Sequence, residues 1–470
     1  METSTDLYAR RWYVLWTVGI GTFLSSLNTS ITNTVLPVIQ RAIHLTLSQS
    51  EWIVLIYLLV LTLFLLPVGR LSDVWGHRRI FLFGFALFTC AALLCGFSRN
   101  YVSLLWGRAL LALAGSMILS VGPALISTTF PAEQRGRVLG IQAIMTYIGL
   151  SLGPVLGGWF TQLWGWPIIF FITVPFGLAG LVLGMWAVPG IVSEQQKHLD
   201  LKGFFLFIIG MTTGTLLLNS NAITQHRSLL ITILLVCFGI STWGFVHIER
   251  KQPDPMLDLR LFQIRNFGFG TLGAALNYLC FFLTMFLLPF YFDHVLQLSA
   301  LATGTYLSIT PLIMTVCAPI AGTLSDRIGP RILTTAGMLF STLGLVLFGI
   351  MAKLSSVAVS HWILIIGLFL AGLGTGTFAA PNNSAILGAA PRPKQGVASG
   401  TLATFRYIGM MAGITVGGSL FDLLLSYFTY KGSGITGSFL EAFSFVMWIG
   451  TLFGVVGIMC TLAMTKVNHR

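Results

Sequence analysis

The sequence predicts an all-α integral membrane protein with 14 transmembrane helices: two parallel six-helix bundles plus a two-helix insertion, with both termini cytoplasmic. Three observations carry this reading. Of 470 residues, 55% are hydrophobic and 9% charged, with a mean hydropathy of +0.87; a soluble domain carries about 25% charged residues. Fourteen apolar runs are separated by short basic connections. Two motifs each occur twice, at nearly the same spacing. The composition excludes disorder and collagen. A net charge of +12 does not imply a nucleic-acid partner, because the basic residues lie in the connections, which is a membrane pattern. Six cysteines fall inside apolar runs without ligand-like spacing, so neither a disulfide framework, a metal site nor a cofactor is expected.

A spanning helix needs about 20 apolar residues. The first run, Trp12–Leu36, follows Arg10 and Arg11 without a small-residue cleavage site, so it reads as a retained helix rather than a signal peptide. Trp52–Leu71 leads into a Gly-rich basic turn, and Ile80–Phe97 leaves it again. Val102–Ser127 carries Arg108, and Val138–Leu163 carries regularly spaced glycines around Pro154. Ile168–Val188 closes the first six. Phe204–Leu218, short and rich in Thr, and Leu229–His247 form the insertion. Phe267–Phe290, Ala302–Ala321, Ile332–Met351, Trp362–Ala380, Val397–Leu425 and Phe443–Met464 complete the second six. Expected domains are thus residues 1–190, 191–250 and 251–470.

Orientation follows from Lys and Arg. With the N-terminus inside, 19 of the 26 basic residues fall on the inner side and five on the outer, leaving Arg108 and Arg406 within helices. The positive-inside rule then places both termini in the cytoplasm.

The repeat is parallel. Gly69-Arg-Leu-Ser-Asp73-Val-Trp-Gly76-His-Arg78 matches Gly322-Thr-Leu-Ser-Asp326-Arg-Ile-Gly329-Pro-Arg331 at six of ten positions, with an offset of 253. Tyr147–Gly158 and Tyr407–Gly418 share Tyr, Ile and four glycines at an offset of 260. Each match is displaced by eight helices, an even number. Two parallel halves around a central substrate site is a transporter architecture.

These residues resemble the Major Facilitator Superfamily, and within it the fourteen-helix drug:proton antiporters. Gly69, Asp73, Gly76, Arg78 and Arg79 are similar to the superfamily's loop between helices 2 and 3, with Gly322, Asp326 and Arg327 as the second-half counterpart. The resemblance implies that these loops gate the cytoplasmic side; Asp73 is expected to cap a nearby helix N-terminus or to pair with Arg78 or Arg79. Gly149-Leu-Ser-Leu-Gly153-Pro154-Val-Leu-Gly157-Gly158 matches the antiporter pattern on helix 5 and implies export. Bottom-up, glycines at i, i+4 and i+8 share one face and admit a close neighbour. Pro255-Met-Leu-Asp-Leu-Arg-Leu-Phe262 is similar to a cytoplasmic stretch of the fourteen-helix group, and Trp52 with Tyr57 on helix 2 also fits.

The departures concern charge. In the family, helix 1 carries an acid in a stretch resembling Leu27-Asn28-Thr-Ser-Ile-Thr-Asn-Thr-Val-Leu-Pro37, but here Asn28 takes that place and has no titratable proton near neutral pH. Arg108 matches the family's intramembrane arginine. At ~1.5 Å per residue, Asn28 lies ~13 Å from Pro37 and Arg108 ~10 Å from Tyr101, so the two are level and in reach of a hydrogen bond. All fourteen acids map to loops or helix ends, and Glu51, Asp293, Asp422 and Glu441 at the outer ends are the remaining proton-carrier candidates. An interfacial anchor or cap is the simpler role for each.

Substrate or coupling roles are therefore expected of Asn28, Arg108, Tyr147, Arg406 and Asp422. No nucleophile–base pair or Walker-type loop points to an enzyme. The expected protein is a monomeric, multi-pass transporter of the bacterial plasma (inner) membrane, working by alternating access and exporting amphipathic small molecules in exchange for protons. Its partners are the substrate, protons and the lipid bilayer. An uncoupled facilitator, or an exporter of anionic, zwitterionic or lipid-like substrates, is the alternative.

Overall fold

A computed structural model describes residues 4–190, 200–219, 227–252, 255–354, 357–391, 394–432 and 434–465. Fourteen helical segments run in chain order: α1 Ser4–Ala42, α2 Leu47–Trp75, α3 His77–Gly96, α4 Tyr101–Thr129, α5 Ala132–Trp164, α6 Ile168–Ala187, α7 Leu201–Leu218, α8 Arg227–Lys251, α9 Arg265–His294, α10 Ala300–Ile328, α11 Pro330–Met351, α12 Val357–Ala389, α13 Gln395–Tyr430 and α14 Ile435–Ala463. Thirteen are long and apolar enough to cross a membrane, and α7 is the shorter one, as its sequence suggests. No strand occurs among the described residues.

Local chemistry sets the boundaries. The Asn100 side chain caps α4 by accepting from the Ser103 amide at 2.8 Å, and Asp200 caps α7 through the Gly203 amide at 3.0 Å. Thr46 and Gln49 open α2 with a reciprocal pair of side-chain caps at 3.2 and 2.9 Å. Two of the chain's turns require glycine: Gly76 before α3 at φ 93° and Gly329 before α11 at φ 87°. They are equivalent positions of the repeat. Two helices differ from the simple sequence reading. A break near Ile172 divides α6 into Ile168–Phe171 and Thr173–Ala187, and α13 contains a π turn at Val416–Leu420.

The chain forms two compact units. Unit 1 comprises Met1–Leu45, Trp52–Leu199 and Ser299–Ser308; unit 2 comprises Thr46–Glu51, Asp200–Leu298 and Ile309–Arg470, and so includes α7 and α8. Within unit 1 the main pairings are α1 with α5 and α3 with α4; within unit 2 they are α9 with α13 and α11 with α12. Each pair in the second set is its counterpart in the first, moved by eight helices.

The glycine register explains the closest of these contacts. On α5, a Cβ at Gly149 would lie 2.7 Å from the Phe23 carbonyl, at Gly153 3.0 Å from the Ile31 amide nitrogen, and at Gly157 2.7 Å from the Ile31 side chain, all on α1. On α13, Gly409, Gly413 and Gly417 meet α9 in the same register; a Cβ at Gly413 would stand 2.9 Å from the Leu283 amide nitrogen. Such approach gives helices dispersion contacts and interhelical bonds in lipid, where the hydrophobic effect offers little. One such bond runs from the Ser30 hydroxyl to the Gly149 carbonyl at 3.3 Å. Large apolar side chains such as Trp106, Trp243 and Trp362 face outward, more than 60% exposed, which fits a lipid solvent rather than water.

Candidate functional site

Unit 1 contains a buried polar cluster centred on Arg108 of α4. Its guanidinium is fully enclosed, with Nη1 donating to Asn28 Oδ1 at 3.2 Å and Thr32 Oγ1 at 3.1 Å on α1. Nε donates to the Ile53 carbonyl at 3.2 Å on α2. Cζ stands 4.4 Å from the centroid of the Tyr57 ring, whose hydroxyl donates to the Ser25 carbonyl at 3.3 Å. The predicted bond between Asn28 and Arg108 is therefore present. Thr32, Tyr57 and the Ile53 carbonyl complete the cluster, and of these only Tyr57 had a signal in the sequence.

Among the described residues no carboxylate joins this cluster. A buried guanidinium without a counter-ion is costly, and what offsets it here is three hydrogen bonds and a cation–π contact, the latter about 2 kcal/mol when desolvated. Three buried polar atoms at this face of α1 have no hydrogen-bond partner among the described residues: Arg108 Nη2, Asn28 Nδ2 and Ser25 Oγ. Two of these are obligate donors, so the cluster suits a ligand rich in carbonyl or ring-nitrogen acceptors. One turn further along, Gln142 of α5 donates to Thr22 Oγ1 at 3.2 Å.

Other expected site residues lie elsewhere. Tyr147 is half-buried on α5, its carbonyl accepting from Ser151 at 2.8 Å. Arg406 belongs to unit 2, half-buried, with Cζ 5.5 Å from the Tyr278 ring centroid. The structure separates the four outer-end acids: Glu51 is fully buried, Asp293 and Asp422 are half-buried, and Glu441 is exposed. Asp293 lies 3.6 Å from His294.

The Major Facilitator Superfamily sequence profile matches residues 18–254 and 270–469. The chain belongs to the Major Facilitator Superfamily. Its relatives carry different cargoes by name. It is 34% identical to the riboflavin transporter RibZ of Clostridioides difficile, over 98% of this chain and 99% of that one. It is 28% identical to the multidrug resistance protein Stp of Mycobacterium tuberculosis, over 87% and 75% of the two chains. It is 29% identical to the tetracenomycin C resistance and export protein of Streptomyces glaucescens, over 89% and 77%. Among solved structures, a bacterial homologue of the lysosomal transporter Spinster aligns with a TM-score of 0.68 at 15% identity over 96% of both chains. A peptide transporter, POT, aligns with a TM-score of 0.69 at 15% identity, over 95% and 94%. At these identities the structures establish the shared fold.

Asp73 faces His77 at 3.7 Å, and His77 in turn meets the Ser72 hydroxyl at 3.0 Å. Arg78 donates to the Met185 carbonyl at the end of α6, at 2.5 Å, and so ties α3 to α6. Arg79 is exposed, as are Asp326 and Arg327 in the second loop. Gly69 and Gly322 face Ser120 and Ala380, each leaving room for about a methyl contact, at 3.7 and 3.6 Å. The helix-5 motif is a packing surface on two sides, with Gly149, Gly153 and Gly157 toward α1, and Gly158 and the Pro154 carbonyl toward Ala300 and Gly304 of α10.

The stretch from Pro255 to Phe262 acts as a clip. Asp258 caps a 3-10 turn, Leu259–Gln263, through the Arg260 amide at 3.0 Å and receives Lys394 at 2.5 Å from the start of α13. Burial raises the affinity of the Asp258 carboxyl for a proton, but the Lys394 and Arg260 bonds outweigh it and hold the group below the usual carboxylate range.

Proposed function

We propose that this superfamily member is a secondary active transporter of the bacterial plasma membrane, exporting amphipathic small molecules by alternating access in exchange for protons. Residues 1–190 and 251–470 are the two moving halves, 191–250 a peripheral insertion, both termini are cytoplasmic, and the working unit is a monomer. The observation that carries the substrate half of this reading is the Arg108 cluster, which is fully buried, rich in donors and without an acid. A dication normally needs a carboxylate to offset its desolvation, so the cluster favours neutral, zwitterionic or anionic cargo. Planar heterocycles with several acceptors fit it, and the riboflavin transporter among the relatives supports that class. The glycine motif of α5 and the relative named for tetracenomycin C resistance and export support export.

Transport in proteoliposomes with an imposed pH gradient tests this, scoring riboflavin, ethidium and proton flux together. Riboflavin flux with proton counterflow, lost in Arg108→Gln, is expected. Preference for ethidium undisturbed by Arg108→Gln would remove the proposed role of the cluster. A second reading, an uncoupled facilitator, rests on Asn28, which replaces the family's acid; substrate flux without proton flux in the same vesicles would select it.

A further inference from the structure

The first turn of α2 ends in a carboxyl group that lies outside the Arg108 cluster. Glu51 is fully buried. Both of its oxygens meet the Ser419 hydroxyl at 3.4 Å, near the outer limit of a hydrogen bond, and Asn219 at the end of α7 faces the same group. Gly418 lies beneath it, and a Cβ there would collide with the carboxyl. Gly418 and Ser419 belong to the π turn of α13, Val416–Leu420, and π turns inside α-helices concentrate at functional sites.

The charged surroundings are one-sided. From α13, Asp422 directs a second negative charge at Glu51, and α7 contributes the neutral Asn219. Among the described residues no basic side chain pairs with Glu51. An ionised carboxylate accepts about four hydrogen bonds, and here it finds one long hydroxyl contact and a facing amide. Seating a charge in that place is expensive, while seating a carboxylic acid is not.

The internal repeat supplies a control. At the offset of 253, position 51 corresponds to Gly304. Gly304 and Ala300 of α10 pack on Pro154 and Gly158 of α5, just as the first turn of α2 packs on Gly418 of α13. The same helix contact is built twice, and glycine alone satisfies its packing once. The acid in the other copy therefore calls for a chemical role.

We propose that Glu51 is a proton-binding site, taking up a proton as the first turn of α2 seats on the π turn of α13 and releasing it to water when that turn lifts away. This deepens the proton-exchange reading above and rests on it. The step is a simple exchange: carboxylate plus proton gives the carboxylic acid in the seated state, and the same proton returns to water in the lifted state. Substrate need not touch Glu51, because both events depend on the same movement.

Spin labels on Leu47→Cys and Tyr430→Cys, in full-length protein lacking its six native cysteines and reconstituted in vesicles of phosphatidylethanolamine and phosphatidylglycerol, report the seating as an interspin distance. Two distance populations are expected, with the longer one growing as pH rises. Glu51→Gln, which mimics the protonated acid, should abolish the pH dependence and hold the shorter distance. Asp422→Asn should leave the titration in place but move it to lower pH, because one opposing charge is gone, and Ser419→Ala should move it to higher pH. A titration that persists unchanged in Glu51→Gln, or no pH dependence in the parent protein, overturns the proposal; should Glu51→Gln fail to fold, unmoved midpoints in both Asp422→Asn and Ser419→Ala do so. Proton flux coupled to riboflavin or ethidium that survives Glu51→Gln would overturn this site yet leave proton exchange standing. A Glu51-dependent distance titration without any coupled proton flux would do the reverse.

Discussion

Arg108 and Asn28, 80 residues apart in sequence, are joined by a 3.2 Å hydrogen bond between two fully buried side chains. Here an amide, not an acid, faces the arginine, and among the described residues the guanidinium has no carboxylate counter-ion. That relationship gives the first two predictions.

Arg108→Leu should separate stability from function. Replacing a buried cation that has no counter-ion by an apolar residue recovers its desolvation cost, which offsets the loss of its three hydrogen bonds, about 0.5–1.5 kcal/mol each. Thermal unfolding in detergent should therefore be unchanged or raised, while riboflavin flux falls at least tenfold. A parallel loss of folding and flux would assign Arg108 a structural role instead.

Asn28→Asp should place a carboxylate within a charge-assisted bond of Arg108 Nη1. Such bonds contribute about 1.5–3 kcal/mol, so unfolding should shift upward at neutral pH. The new group should also add a pH-dependent phase to transport that wild type lacks. Flux measured from pH 5 to 8 in both proteins checks this, and identical profiles would show that the position is not on the proton route.

Gly153→Leu and Gly413→Leu should fail alike, because each forces a side chain into a backbone on the neighbouring helix. Overpacking of this kind costs about 1–3 kcal/mol or more, and transport should be lost or leaky. Gly140→Ala is the control: its Cβ would meet nothing within 4 Å, and it should be tolerated.

How much of this was legible in the sequence depends on how far apart the determining residues lie. Helix count and glycine register were readable because they depend on local composition and on i, i+4 spacing, and the repeat pairs Gly76 with Gly329, which the structure places in two turns of the same handedness. The Asn28–Arg108 bond was readable from depth along two helices. Glu51 was not. At the fifth residue of α2 it resembles an interfacial anchor, and the groups that face it come from α7 and from α13, the latter 368 residues later. The Arg78 bond to Met185 was hidden for the same reason, with its acceptor a backbone carbonyl 107 residues away that no side-chain pattern marks.

Lys394→Ala should destabilise through the clip at Asp258. Because the folded carboxyl is held below its ordinary value, the clip's contribution is fully present above about pH 4 and fades as pH falls through the folded value. The difference in unfolding midpoint between wild type and Lys394→Ala should be constant from pH 6 to 8 and shrink below pH 4. A gap that widens on acidification would contradict the assignment.

The long separation between Glu51 and Ser419 also bears on how the protein is made. At about 5–20 residues per second, a ribosome needs roughly 20 to 70 s to travel from Glu51 to its partner on α13. Throughout that interval α2 is already synthesised but its opening turn lacks the α13 contact, with only the Ser48–Asn219 bond available once α7 is made. A chain truncated before α13 should therefore carry Glu51 as a water-seeking anion at the end of a membrane helix, which makes nascent intermediates of this transporter natural clients for insertion factors and membrane proteases. Completion of α13 should then be the step that shelters Glu51.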